Sequence, residues 1–253
     1  MKNIKLKQAI YGFIGVLVII FLWSLISFFI NDISFVPSPT ETVRRFPRLL
    51  LEPSFYLDIW MTLERTLLGL FIGLSLGVFI GVIVGTYRRI YQGAQFSIDF
   101  FRSIPSSALF PIFIIFFGLG DLTKILITAW ASSLVVLFNT VYGIRSLSQE
   151  KINLIKTYKL PFWRALRSIT LPNALPYIAI GLRQGLSFGL IVEIVAEMFL
   201  GSNSGLGHRI YDSSSILQMD EAFASIVTIG LIGYFLNKLI IVAQKKIIHW
   251  KTI

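Results

Sequence analysis

The stretch LLGLFIGLSLGVFIGVIVGT, residues 67–86, decides what kind of fold this chain can adopt: twenty residues pass without a charge. At about 1.5 Å of rise per residue, a helix of that length is roughly 30 Å long, the thickness of a bilayer's hydrocarbon core. Lipid is the natural solvent of such a stretch. Within it Gly69, Gly73, Gly77, Gly81 and Gly85 recur at every fourth position. On a helix they form a smooth, slowly turning groove that lets another backbone come close. Tight helix packing is the first reading of this ladder. A surface that slides during transport is the second, and the two are compatible.

The remainder of the chain has the same character. Of 253 residues, 55% are hydrophobic and only 14% are charged, against roughly 25% charged in a soluble domain. Mean hydropathy is +0.76. Further apolar runs lie at 11–30, 103–120, 125–144, 173–200 and 222–244. The first is too long for a signal-peptide core and lacks a cleavage site. Together the runs predict an all-α integral membrane protein with six transmembrane helices in one domain, 1–253. The expected spans are about 8–30, 62–86, 96–120, 122–145, 173–200 and 222–244, with a cytoplasmic loop over 146–172. Pro105 and Pro111 interrupt the third run. On the outer side, Ser38 or Thr40 is placed to cap a short helix after Pro37 and Pro39.

A net charge of +10 raises the question of nucleic acid. The distribution answers it. With both termini on one side, that side carries Lys2, Lys5, Lys7, Arg88, Arg89, Arg102, Arg145, Lys151, Lys156, Lys159, Arg164, Arg167, Lys245, Lys246 and Lys251. The other side carries Arg44, Arg45, Arg48, Arg65, Lys124 and Arg209. This positive-inside bias places the N- and C-termini in the cytoplasm and needs no nucleic-acid partner.

Catalytic chemistry finds no support. The chain has no cysteine and two histidines, which excludes thiolate chemistry and leaves too few ligands for a zinc site. It contains no G-x-x-x-x-G-K-[ST], no His-Glu-x-x-His and no Gly-x-Ser-x-Gly. The expectation is a chain that is not an enzyme, with no metal and no cofactor of its own.

The loop over 146–172 is long for a turn. It reads as a basic amphipathic helix from Ser148, suited to anionic headgroups or to a soluble partner. Its end, Trp163-Arg164-Ala165-Leu166-Arg167-Ser168-Ile169-Thr170-Leu171-Pro172-Asn173-Ala174-Leu175-Pro176, resembles the cytoplasmic loop of binding-protein-dependent ABC importer permeases. Four more stretches resemble that family: Phe35-Val36-Pro37-Ser38-Pro39, Leu63-Glu64-Arg65-Thr66-Leu67-Leu68-Gly69, Phe101-Arg102-Ser103-Ile104-Pro105, and Ala196-Glu197-Met198 with Ser204-Gly205-Leu206-Gly207. The likeness is greatest to the nitrate, sulfonate and taurine subgroup.

The resemblance implies a type I importer permease in the bacterial cytoplasmic (inner) membrane, surrounded by membrane lipid. A second permease subunit, identical or different, would complete the path. A cytoplasmic ABC ATPase dimer would hold ATP and Mg, and an extracytoplasmic solute-binding protein would deliver a small oxyanion or sulfonate. The ATPase-coupling residues it points to are Asn153, Lys156, Lys159, Phe162, Trp163 and Arg164. The family's loop begins Glu-Ala-Ala and carries a glycine six residues after the Glu. Here Asn153, Leu154, Ile155 and Lys159 stand at those positions. A lysine there must avoid positive φ or be strained.

Arg183, Glu193 and Glu197 interrupt the fifth run. A charge at mid-bilayer costs roughly 2.5–3.5 kcal/mol on insertion scales, so each must face protein or water. An ion pair or hydrogen bond inside the bundle is the first reading. Glu197 could cap the outer loop or pair with Arg209. The second reading has Glu193 and Glu197 lining the path, with Ser132, Ser133 and Asn139 as polar neighbours. A gradient-driven carrier using Glu193 and Glu197 is the alternative to an ATP-driven importer. A membrane scaffold without a path is a third.

Overall fold

A computed structural model describes residues 2–248, with side chains from residue 10 onward. Lys251 and the side chains of Lys2, Lys5 and Lys7, counted above on the cytoplasmic face, lie outside the described residues. Among the described residues the chain is entirely helical. The helices are α1 (Lys2–Ile30), α2 (Pro39–Leu49), α3 (Pro53–Thr86), α4 (Arg88–Ser103), α5 (Phe110–Phe117), α6 (Asp121–Arg145), α7 (Gln149–Thr157), α8 (Phe162–Ala165), α9 (Leu171–Phe199), α10 (Leu206–Ser215) and α11 (Met219–Ile247). A 3-10 turn, Ser106–Leu109, precedes α5, and a π-helical turn, Leu166–Thr170, joins α8 to α9.

Five helices are long and apolar enough to cross a membrane, or six if α4 and the segment Ser106–Phe117 count as one bent span. The third span, expected as one helix over 96–120, is broken by 91°. Pro105 removes a backbone donor and pushes Ile104 out of the helical region, to φ −80° and ψ 121°. The second span starts earlier than expected, at Pro53. Its outer charges, Asp58 and Arg65, are buried in ion pairs and so do not end the helix.

At the outer face Ser38 is the residue that caps α2. Its Oγ accepts from the Glu41 N–H, and its own N–H donates to Glu41 Oε2 at 2.6 Å. The N-terminal helix is tied to the bundle near this point. Trp23 Nε1 donates to the Pro37 carbonyl at 2.9 Å, and the Trp23 ring stacks on Phe223.

The centre of the bundle is α6, held between α3 and α9. The α3 glycines press against it along its length. A Cβ on Gly77 would stand 2.7 Å from the Ser133 carbonyl oxygen and 2.8 Å from Val136 Cβ. Gly69, Gly73, Gly81 and Gly85 meet Thr128, Ala129, Thr140 and Ile144 in the same way. A second ladder, on α9, closes from the other side: Gly181 meets Asn139, Gly185 meets Val136 and Gly189 meets Ser132. Ser132 Oγ donates to the Gly185 carbonyl at 3.0 Å and joins the two backbones. Lipid tails are as apolar as the helices, so close packing and such bonds hold the bundle.

Gly77→Ala is expected to destabilise the protein in detergent by about 1–3 kcal/mol through overpacking. Gly93 has no atom within 4 Å of a would-be Cβ, so Gly93→Ala should leave the melting temperature unchanged or raise it. Thermal unfolding of the two variants checks the contrast.

Candidate functional site

Two polar groupings stand out: a charged cluster at the end of the bundle that carries α2 and α10, and a cavity beside the broken span. The cluster is built around Arg65, which is 2% exposed. Its Nη1 donates to Glu197 Oε1 at 2.8 Å and to the Ser204 carbonyl at 2.9 Å. Its Nη2 lies 2.8 Å from Asp121 Oδ1 at the start of α6. One side chain of α3 therefore holds α6, α9 and the segment before α10. Thr62, one turn away, donates to the Glu197 carboxylate and accepts from the Leu206 N–H at 2.8 Å.

The Ser204-Gly205-Leu206-Gly207 motif now has a physical account. A helix's first N–H groups have no acceptor within the helix. Here the Gly205 N–H donates to Asp58 Oδ1 at 2.8 Å, and the Gly207 N–H donates to Glu197 Oε2 at 2.9 Å. Gly205 sits at φ +120°, and a side chain there would run into the Glu197 carboxylate. Glu197 thus caps the outer loop. Its cationic partner is Arg65 and not Arg209, which belongs to a neighbouring group.

Arg209 Nε donates to Asp58 Oδ2 at 2.7 Å, and its Nη1 donates to Glu52 Oε2 at 2.9 Å and Glu221 Oε1 at 2.7 Å. Glu221 also accepts from Arg45, so α2, α3, α10 and α11 are linked. Burial works to lower the Arg209 pKa, but the hydrogen bonds it donates to Asp58 and Glu52 win and hold it above its ordinary value.

Glu193 is 0% exposed. It faces α6, where Thr128 Oγ1 donates to its Oε2 at 2.8 Å, while Oε1 has no hydrogen-bond partner among the described residues. Lys124 is also buried, 3.4 Å from Asp121. Arg65 and Lys124, counted from the sequence as outer-face charges, are thus interior residues.

The cavity, of ≈ 600 Å³, lies between the bend after α4 and the middles of α6 and α9. Arg102, Ser106, Ser107, Asn139 and Gln184 supply its polar lining. Of the five candidate path residues, Asn139 reaches it. Ser132 is bonded to Gly185 and Ser133 to the Trp130 carbonyl. Glu193 and Glu197 lie in the bundle interior, outside this lining.

The loop residues separate into two places. Asn153, Lys156 and Lys159 belong to α7 and its end and are exposed. Lys159 adopts φ +47°. The Lys159 N–H donates to the Lys156 carbonyl and the Leu160 N–H to the Ile155 carbonyl, each at 3.1 Å. That is the Schellman ending, in which the left-handed residue after the C-cap, here Lys159, is usually glycine. Phe162 and Trp163 instead sit at the C-terminal end of α3. Phe162 stacks on Tyr87 at 6.0 Å, and both line an apolar groove with Phe79, Val82 and Ile83. Arg164 is exposed beside them.

The fold is a multi-span helical bundle with a broken helix, one end braced by buried ion pairs and an exposed helical loop at the other. It is the fold of solved ABC transporter chains. It matches a chain of the inward-facing MetNI methionine ABC transporter with a TM-score of 0.65 at 20% identity, covering 78% of this chain and 97% of that one. Residues 73–250 match the binding-protein-dependent transport system inner membrane component family, and the chain belongs to it. Among its relatives, the putative aliphatic sulfonates transport permease SsuC of Bacillus subtilis (strain 168) is 28% identical, over 93% of this chain and 85% of its own. The riboflavin transport system permease RibX of Chloroflexus aurantiacus is 33% identical, over 86% of this chain and 81% of its own.

Removing one partner of a buried ion pair leaves an uncompensated charge and costs about 3–5 kcal/mol. Arg65→Ala should therefore lower the detergent melting temperature sharply, while Arg44→Ala, at an exposed position of α2, should leave it in place. A second expectation concerns the loop. A non-glycine residue in the left-handed region carries a cost of roughly 1–2 kcal/mol. Lys159→Gly should slow hydrogen exchange at the Lys159 and Leu160 amides, and Lys159→Val should speed it.

Proposed function

We propose that this chain is the path-forming permease subunit of an ATP-driven importer for a small oxyanion or sulfonate, of the kind of nitrate, taurine or an alkanesulfonate. The observation that carries this reading is the likeness to SsuC along nearly the whole chain. A second permease subunit, a copy of this chain or a different one, completes the path. ATP and Mg are bound by a cytoplasmic ABC ATPase dimer, and an extracytoplasmic binding protein delivers the solute. Closure of the ATPase pair moves the loops that touch it and shifts the bundle between inward- and outward-open states. The basic bias of one face supports N- and C-termini in the cytoplasm.

Within the loop, we assign the ATPase contact to the exposed face of α7, with Asn153, Lys156 and the Lys159 turn. Leu154 and Tyr158 offer apolar surface there, being 45% and 73% exposed. Phe162 ties the loop to the end of α3 through its stack on Tyr87, and Trp163, 76% exposed, adds apolar surface to the contact with Arg164 beside it. The RibX likeness favours a second substrate class, the riboflavin of that relative's name.

Two measurements test the proposal. Affinity purification of the full chain from its native membranes should recover an ABC ATPase. Deleting the chain should abolish uptake of one of taurine, ethanesulfonate or nitrate, with that uptake dependent on ATP and insensitive to an uncoupler. Riboflavin as the lost substrate would overturn the substrate class. Uptake by the chain alone in liposomes, collapsed by an uncoupler, would overturn the ATP-driven mechanism in favour of a gradient-driven carrier.

A further inference from the structure

The cavity beside the broken span has a one-sided chemistry. Its polar lining consists of a guanidinium, hydroxyls and amides, and no Asp or Glu lines it. Asn139 Nδ2 donates to Gln184 Oε1 at 3.0 Å, which turns the Gln184 carbonyl toward Asn139 and leaves its amide N–H groups as donors. Ser106 and Ser107, in the turn after Pro105, add hydroxyls to the lining. The Arg102 guanidinium lies over the Phe138 ring at 3.9 Å and reaches Asp99 only at 3.8 Å. That ion pair is longer than a hydrogen bond, so it leaves the guanidinium N–H groups available to the cavity. The acids of α9 are kept away: Glu193 and Glu197 are 0% and 1% exposed, on the face that meets α6 and α3.

A sulfonate or oxyanion headgroup offers acceptors only, and it is held by donors and a cation in a partly dehydrated site. We propose that this cavity is the anion subsite of the translocation path, with Arg102 as counter-charge and Gln184, Ser106 and Ser107 as headgroup donors. Its place on the path rests on the importer reading above. Its preference for anions does not, and can be tested without transport.

The chain contains no cysteine, so Val135→Cys, on the cavity wall, supplies a single reporter thiol. In membranes holding the complete importer, that thiol is reacted with a methanethiosulfonate bearing a sulfonate and with one bearing a trimethylammonium. Rates are normalised to a free thiol. The sulfonate reagent should react about tenfold faster, the low end of what a focused field does to local ion concentration. Arg102→Gln should remove the preference and Arg102→Lys should keep it. Equal rates, a faster cationic reagent, no reaction with either, or a preference that survives Arg102→Gln would overturn the subsite. Taurine uptake by the importer separates the two claims. Anion preference without sulfonate uptake keeps the subsite and sinks the substrate assignment; sulfonate uptake without the preference does the reverse.

Discussion

Helices in lipid gain nothing from hiding apolar surface against each other, so the bundle depends on how closely α6 can be approached. Both neighbours approach it through positions four residues apart. On α3 these are Gly69, Gly73, Gly77, Gly81 and Gly85, and on α9 they are Gly181, Gly185 and Gly189. Because 3.6 residues make a turn, a spacing of four drifts slowly around the helix, and α6 must follow both grooves at once. The Ser132 bond to the Gly185 carbonyl is available only because no side chain intervenes.

The same registers continue into the charges. Stepping outward by four from Gly69 gives Arg65, and from Gly189 it gives Glu193 and then Glu197. Each ladder therefore ends in ionisable side chains that point where its glycines point. There Arg65 and Glu197 meet at 2.8 Å, with Thr62 and the 204–207 loop completing the hydrogen bonds. The arrangement confines the buried acids to one face of α9 and leaves the Gln184 face to the cavity.

The helical membrane fold was legible from hydropathy and glycine spacing, because both are local properties of a segment. The break in the third span was half legible. Pro105 marked it, but a proline can kink a helix or end it, and the chain alone does not choose. The ion-pair cluster was missed for a definable reason. Arg65 and Lys124 were read as outer-face charges because they flank apolar runs, and a rule based on runs takes flanking charges as solvated. The four-residue register of Arg65 with the glycines was the signal that it faces inward. Gln184 carried no signal: polar residues in a span face helices as often as cavities, and only the bend decides. Lys159 was flagged by the family's glycine, and the turn keeps its left-handed geometry without one.

The central claim is a division of labour: the buried acids brace the bundle, and the solute meets the donor-lined cavity. The most direct test is the uptake rate of the complete importer carrying Glu193→Gln, expressed per folded transporter. The substitution removes the titratable carboxyl and preserves an acceptor for the Thr128 hydroxyl. The account predicts a rate within about twofold of the unmodified protein. A loss of roughly tenfold or more at unchanged assembly would show that Glu193 acts in the transport step itself, and would contradict it.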